Sequence, residues 1–182
     1  VRAPDQIEAH VCQEGEIVAS VDQYFDYGDT LCEVEVVSGE LTNEEVEVMW
    51  VKGSGGDIGT LTRSGIAGLY TGRLRDLKNV YQGLHDEDRM VGLFNHCIYD
   101  LDSKAPSIDT PLHGLLPFAH IDHLHPDALI AVAAAKDSEQ VTKEIWGDTM
   151  GWVPWQKPGF DLGLQFEKCL ADNPGIRGIV LG

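Results

Sequence analysis

The chain has 182 residues, 43% of them hydrophobic, and a formal net charge of −17 at neutral pH. That apolar content suffices for one sizeable core and excludes a disordered chain, while the acidic balance argues against nucleic acid, whose phosphates need clustered Lys and Arg. No apolar run approaches the roughly 20 residues that a membrane span needs.

The N-terminal Val1-Arg-Ala-Pro lacks the apolar core of a signal peptide, so the default location is the cytoplasm. Residues 1–51 carry thirteen acids and one base, Arg2, whereas residues 52–182 carry seventeen acids and twelve bases. This asymmetry points to two parts. Residues 16–21 and 30–37 are rich in β-branched residues and predict strands; residues 45–51 alternate cleanly and predict a strand with one wet face. A glycine-rich turn follows, Lys52-Gly-Ser-Gly-Gly. Residues 62–79 predict a helix from Ile66, Tyr70, Leu74 and Leu77, although Gly65, Gly68 and Gly72 lie inside it. A second helix is expected over 86–97, a polar loop over 98–110 and a helix start at 112–115. Residues 119–125 read as a strand, 126–135 as a Pro-initiated Ala-rich helix, and 137–145 as further helix. Residues 150–158, with two tryptophans and two prolines, read as a loop or edge. An amphipathic helix over 162–170 and a buried strand at the Gly178 end complete an α/β alternation. The four cysteines form no C-x-x-C pair and fit reduced thiols.

The densest chemistry is His120-Ile-Asp-His123-Leu-His125. On a strand, His123 and His125 project to one face, about 7 Å apart along the backbone, which suits two imidazoles converging on one ion. His120 projects to the other face. Asp122 and Asp127 are candidates to orient the rings. Histidines also cap strands and sit on surfaces, and two ligands do not fill a catalytic zinc site, which needs three protein ligands and an open position. His96 and His113 lie upstream on helical segments and need not reach. The turn at Gly53, Ser54 and Gly55 can present amides to an anion or be a plain tight turn.

Three segments occurring in order carry a resemblance: Val51-Lys-Gly-Ser-Gly-Gly-Asp-Ile, Pro106-Ser-Ile-Asp-Thr-Pro-Leu-His113 and His120-Ile-Asp-His-Leu-His-Pro-Asp127. Together with Trp152-Val-Pro-Trp-Gln-Lys-Pro-Gly-Phe160, they are similar to the class II aldolase/adducin family, in particular to the aldolase part of bifunctional rhamnulose-1-phosphate aldolase/alcohol dehydrogenases. The resemblance covers residues 44–182 and leaves 1–43 as a β-rich acidic segment of its own. It implies a three-layer α/β/α domain, tetrameric assembly and a zinc ion or other divalent metal held by His123 and His125. It also implies proton transfer by Asp109, where the small sugar-phosphate aldolases carry Glu, and a substrate phosphate held by Ser107 with Gly53, Ser54 and Gly55. The implied reaction is cleavage of L-rhamnulose 1-phosphate to dihydroxyacetone phosphate and L-lactaldehyde. The subgroup's G-G-G-N-T-S loop has no counterpart in residues 1–43. Its third metal histidine falls in a His-Gly pair after the Val-Leu-Gly strand, beyond Gly182, so this piece alone is expected to be inactive. The alternatives are a non-catalytic adducin-like interaction module and a sugar-phosphate epimerase or dehydratase on the same scaffold.

Overall fold

The computed structural model describes residues 10–13, 16–20, 30–39, 43–55 and 58–182. Strands β1 (His10–Gln13) and β2 (Glu16–Ser20) pair as an antiparallel hairpin. The principal sheet contains β3 (Thr30–Ser38), β4 (Glu45–Lys52), β5 (Ile66–Tyr70) and β6 (His120–His123), in the order β5-β4-β3-β6 with every pair antiparallel. A parallel pair, β7 (Met150–Val153) and β8 (Gly178–Leu181), stands beside it. The result is a mixed α/β fold with strands in its N-terminal part. Strand β3, upstream of residue 44, pairs on both sides within the principal sheet.

Strand β4 is buried on both faces over its second half, where the sequence predicts one wet face: Val48 and Lys52 are covered on one side, Met49 and Val51 on the other. Met49 and Val51 point to one face and are buried with Ala67 and Leu69 of β5, while Val34 and Ile121 pack against them from β3 and β6. Helices α1 (Thr71–Asp76), α2 (Glu87–Leu93), α3 (Thr110–Gly114) and the long α6 (Phe160–Asp172) contribute Leu74, Met90 and Phe160 to this cluster, with Leu115 just past α3. Each fully buried side chain of this size stabilises by about 1.5–3 kcal/mol. A smaller cluster of Leu112, Val153 and Leu162 joins α3 to β7 and α6. Helices α4 (Asp127–Ala133) and α5 (Ser138–Trp146) lie between β6 and β7 in the chain.

The helix expected over 62–79 forms only from Thr71 onward, and residues 66–70 are strand β5. The reason is packing across the sheet. Gly68 sits opposite Trp50, and a Cβ there would lie 2.7 Å from the indole, so the glycine leaves room for the ring. Tyr99 closes edge-on over Trp50 and Tyr70. Of the three glycines that argue against a continuous helix, only Gly68 lies in β5, where the close approach of another side chain needs it; Gly65 ends the turn before the strand and Gly72 lies in α1. The other expected elements are present, with 150–153 forming a strand. Among the described residues, no helix is long and apolar enough to cross a membrane.

Candidate active site

The register of β6 on β3 pairs Cys32 with Ile121 and Thr30 with His123. Because Ile121 packs on the core, His123, two residues on, faces the same helix-covered side. His120 and Asp122 are exposed on the opposite face. His125 lies past the end of the strand, yet its ring centroid is 4.8 Å from that of His123, with the planes at 42°. The two imidazoles that the spacing singles out are therefore together, and His120 stands apart.

Helix α3 adds a third ring. Pro111 occupies its first turn and all five residues are buried. The helix is a wedge: Gly114 lies so close to α1 that a Cβ would come 2.1 Å from a Leu74 methyl, and Pro111 abuts Gly163 of α6. This wedge puts the His113 ring 5.9 Å from that of His123, at 36°. His113 is wholly buried, and neither of its nitrogens has a hydrogen-bond partner. Burial, with the neighbouring His123 as a second cause, pulls its pKa down to about 3. Distance along the chain made His113 look out of reach. The signal for it was local: Asp109 and His113 are four residues apart on one helical face.

Asp109 stands immediately before α3 with helical backbone angles (φ −81°, ψ −5°), so it continues that face. Residues so spaced have Cβ atoms about 5–6 Å apart. Asp109 is half-buried; its Oδ2 accepts from the Ser107 hydroxyl at 3.3 Å, and its backbone amide donates to Ser107 Oγ at 3.3 Å. Asp127 is exposed at the start of α4, and His96 is exposed with its carbonyl accepting from Arg73.

The glycine turn and the Ser107 segment are neighbours. Gly53 forms a β-bridge with Pro106, and the Ser54 amide donates to Ala105 O at 3.0 Å. The Gly53 amide donates to Gly65 O at 2.8 Å. These two amides are engaged by carbonyls, while Ser54 and Gly55 are exposed at the tip of the turn and Ser107 follows directly on the Pro106 bridge. Glycine is required at 53, where a Cβ would meet Lys104 Cβ at 2.8 Å, and is favoured at 55, where φ is +70°. Continuing the β3–β4 register past Cys32–Val51 brings residue 53 level with Thr30, whose partner on the other side is His123. Two strand spacings, about 10 Å, then separate the turn from the histidines at the same end of the sheet. An open groove of about 360 Å³ lies at the other end, by Val46, Tyr70 and Arg73. Its arginines are committed: Arg75 pairs with Glu47 at 3.0 Å, and Arg73 lies over Tyr70.

For a divalent ion, His123 and His125 supply two nitrogen donors on one side of the strand, and the orphaned His113 nitrogens show that this region is built for polar partners. Among the described residues, no group of three His, Cys, Asp or Glu side chains is drawn together to hold an ion. The pair fits a metal as an incomplete ligand set.

The mixed α/β fold, with its antiparallel principal sheet and the paired rings of His123 and His125 at one end, is matched by a known class. The chain matches the class II aldolase and adducin N-terminal domain over residues 31–181, and it belongs to that family. It is 36% identical over 142 residues to a Bacillus subtilis (strain 168) protein described as uncharacterized oxidoreductase YuxG. That match covers 78% of this chain and 20% of the relative, so the chain spans about a fifth of that protein's length. In fold it is similar to the N-terminal class II aldolase domain of a conserved protein from Thermoplasma acidophilum. That likeness has a TM-score of 0.74 at 24% identity, over 85% of this chain and 70% of the other.

Proposed function

We propose that this chain is the aldolase domain of a metal-dependent lyase that cleaves L-rhamnulose 1-phosphate to dihydroxyacetone phosphate and L-lactaldehyde. The observation that carries the reading is the 4.8 Å pairing of the His123 and His125 rings. His123 and His125 would hold the ion, with a further ligand from outside the described residues. When bound, a zinc or similar divalent ion supplies Lewis-acid stabilisation of the negative charge that develops as the carbon–carbon bond breaks. Asp109 carries the proton transfers at a carboxylate oxygen, which the Ser107 hydroxyl orients. Ser107, Ser54 and Gly55 hold the phosphate about two strand spacings from the histidines, roughly 10 Å, fixing the reacting carbons relative to Asp109. A homotetramer and a cytoplasmic setting belong to the same reading. A non-catalytic, adducin-like role has no need of a paired imidazole set with a carboxylate nearby, and both are present.

The name of the Bacillus relative fits a longer protein in which an oxidoreductase domain would act on the aldehyde or the sugar. The test is a coupled assay for dihydroxyacetone phosphate from L-rhamnulose 1-phosphate with the full-length protein, with and without chelation. Metal-dependent release of both products is expected. A protein that holds stoichiometric zinc yet releases neither product would overturn the substrate and reaction.

A further inference from the structure

The His113 imidazole is the anomaly of this fold. A fully buried polar ring with no partner for either nitrogen is costly, because each group loses its water without compensation. Leucine would fill the same wedge between α1, α6 and β4 without that cost. Its nearest aromatic neighbour is the ring of His123, 5.9 Å away. Two imidazoles joined by an N–H···N hydrogen bond of about 3 Å have centroids about 5 Å apart once the ring radii are added. The two rings therefore stand within about 1 Å of hydrogen-bonding separation.

We infer that His113 is a positioning residue of the metal site, its ring nitrogen accepting the N–H of His123 and so fixing which nitrogen of His123 faces the ion. The inference rests on the reading of His123 and His125 as metal ligands. A ligating histidine gives its second ring nitrogen to a hydrogen-bond partner, and that partner sets both tautomer and orientation. A backbone carbonyl or carboxylate fills this role in other proteins. Here the fold offers an imidazole, held by a five-residue helix that is buried throughout. Asp109, one turn earlier on the same face, ties the proton-transfer group to the same rigid element. A shift of α3 would therefore move ligand geometry and catalytic carboxylate together.

The experiment is a Co²⁺ titration of the full-length protein, followed by its visible absorption, for wild type, H113L, H113Q and H123A. Circular dichroism checks that each variant folds. H113L preserves the packing volume but removes the acceptor; a 10- to 100-fold loss of Co²⁺ affinity is expected, the range found when such supporting partners are removed. H113Q keeps an acceptor of similar reach and is expected to recover most of that loss. Wild-type affinity in H113L, or equal losses in H113L and H113Q, would show that the ring only fills space and would overturn the inference while leaving the ligand assignment standing. Wild-type affinity in H123A would overturn the ligand assignment, and this inference with it.

Discussion

Glu87 closes the N-terminus of a helix 73 residues away: its two carboxylate oxygens accept the amides of Phe160 and Asp161, each at 2.8 Å. Glu87 is 5% exposed, and Gly159, at φ +154°, leaves the space its carboxylate occupies; a Cβ there would lie 2.2 Å from Glu87 Oε2. The first amides of a helix have no partner within it, and a buried carboxylate satisfies two of them while meeting the positive end of the helix dipole. Tyr81 donates to Glu87 at 3.2 Å and to Asp161 at 2.9 Å, and burial followed by these carboxylates raises its pKa. Glu87→Ala is expected to cost about 2–3 kcal/mol in urea unfolding, as loss of charge-assisted hydrogen bonds implies. Glu87→Gln should cost less.

Gly163 sets the distance between α6 and α3. A Cβ at this position would meet Pro111 at 2.9 Å on its side chain and 3.0 Å on its backbone, and backbone cannot yield as a flexible side chain would. Gly163→Ala should therefore destabilise by about 1–3 kcal/mol, the usual cost of overpacking. It should also lower metal affinity, because α3 carries His113. A chemical-denaturation curve together with a metal titration reads both effects.

Asp109→Asn keeps the size of the side chain and removes its proton-transfer capacity. Turnover should fall by about 10²–10⁴, the contribution typical of general acid–base groups. Metal content, measured by elemental analysis, should stay at the wild-type level, because His123 and His125 are unchanged.

Asp86 is gripped by Arg89, whose Nε donates to Oδ1 at 2.6 Å and whose Nη2 bonds Oδ2 and, at 2.6 Å, Val80 O. This hydrogen bonding, more than the simple charge, holds the Asp86 carboxyl below its ordinary value of 3.8. The unfolded chain takes up this proton at a higher pH than the folded one. The stabilisation is thus complete above pH 3.8 and disappears as pH falls through the folded value. Acid titration of stability should show a shallower decline in Arg89→Gln than in the wild type.

Burial pushes the Cys97 thiol up to about 11. At pH 8 the native protein should leave Cys97 unmodified by iodoacetamide, while the urea-unfolded chain reacts, as peptide mass spectrometry will show. The unfolded thiol ionises near 9.0 and the folded one later, so this group's contribution to stability wanes as pH rises from 9 towards 11.

The strand character of β4, the amphipathic pattern of α6 and the spacing of His123 and His125 are local properties of the chain, legible because period-2 or period-3.6 patterning is written into neighbouring residues. The same holds for the ordered motifs that give the family. That both faces of β4 are buried from Val48 onward is not a local property. In strand β5, Ile66 and Tyr70 fall at helical spacing, yet what makes it a strand is the Trp50 ring lying over Gly68 from another strand.

The sequence by itself determined which residue types could do chemistry and that His123 and His125 share a side. Only the tertiary structure decided that His113 stands against His123, that the Gly53 turn lies along the Ser107 segment, and that the Gly53 and Ser54 amides serve the fold. The reason is that these are contacts between segments far apart in the chain. They are set by sheet register and by how closely α3 can wedge between α1 and α6, which no local pattern encodes.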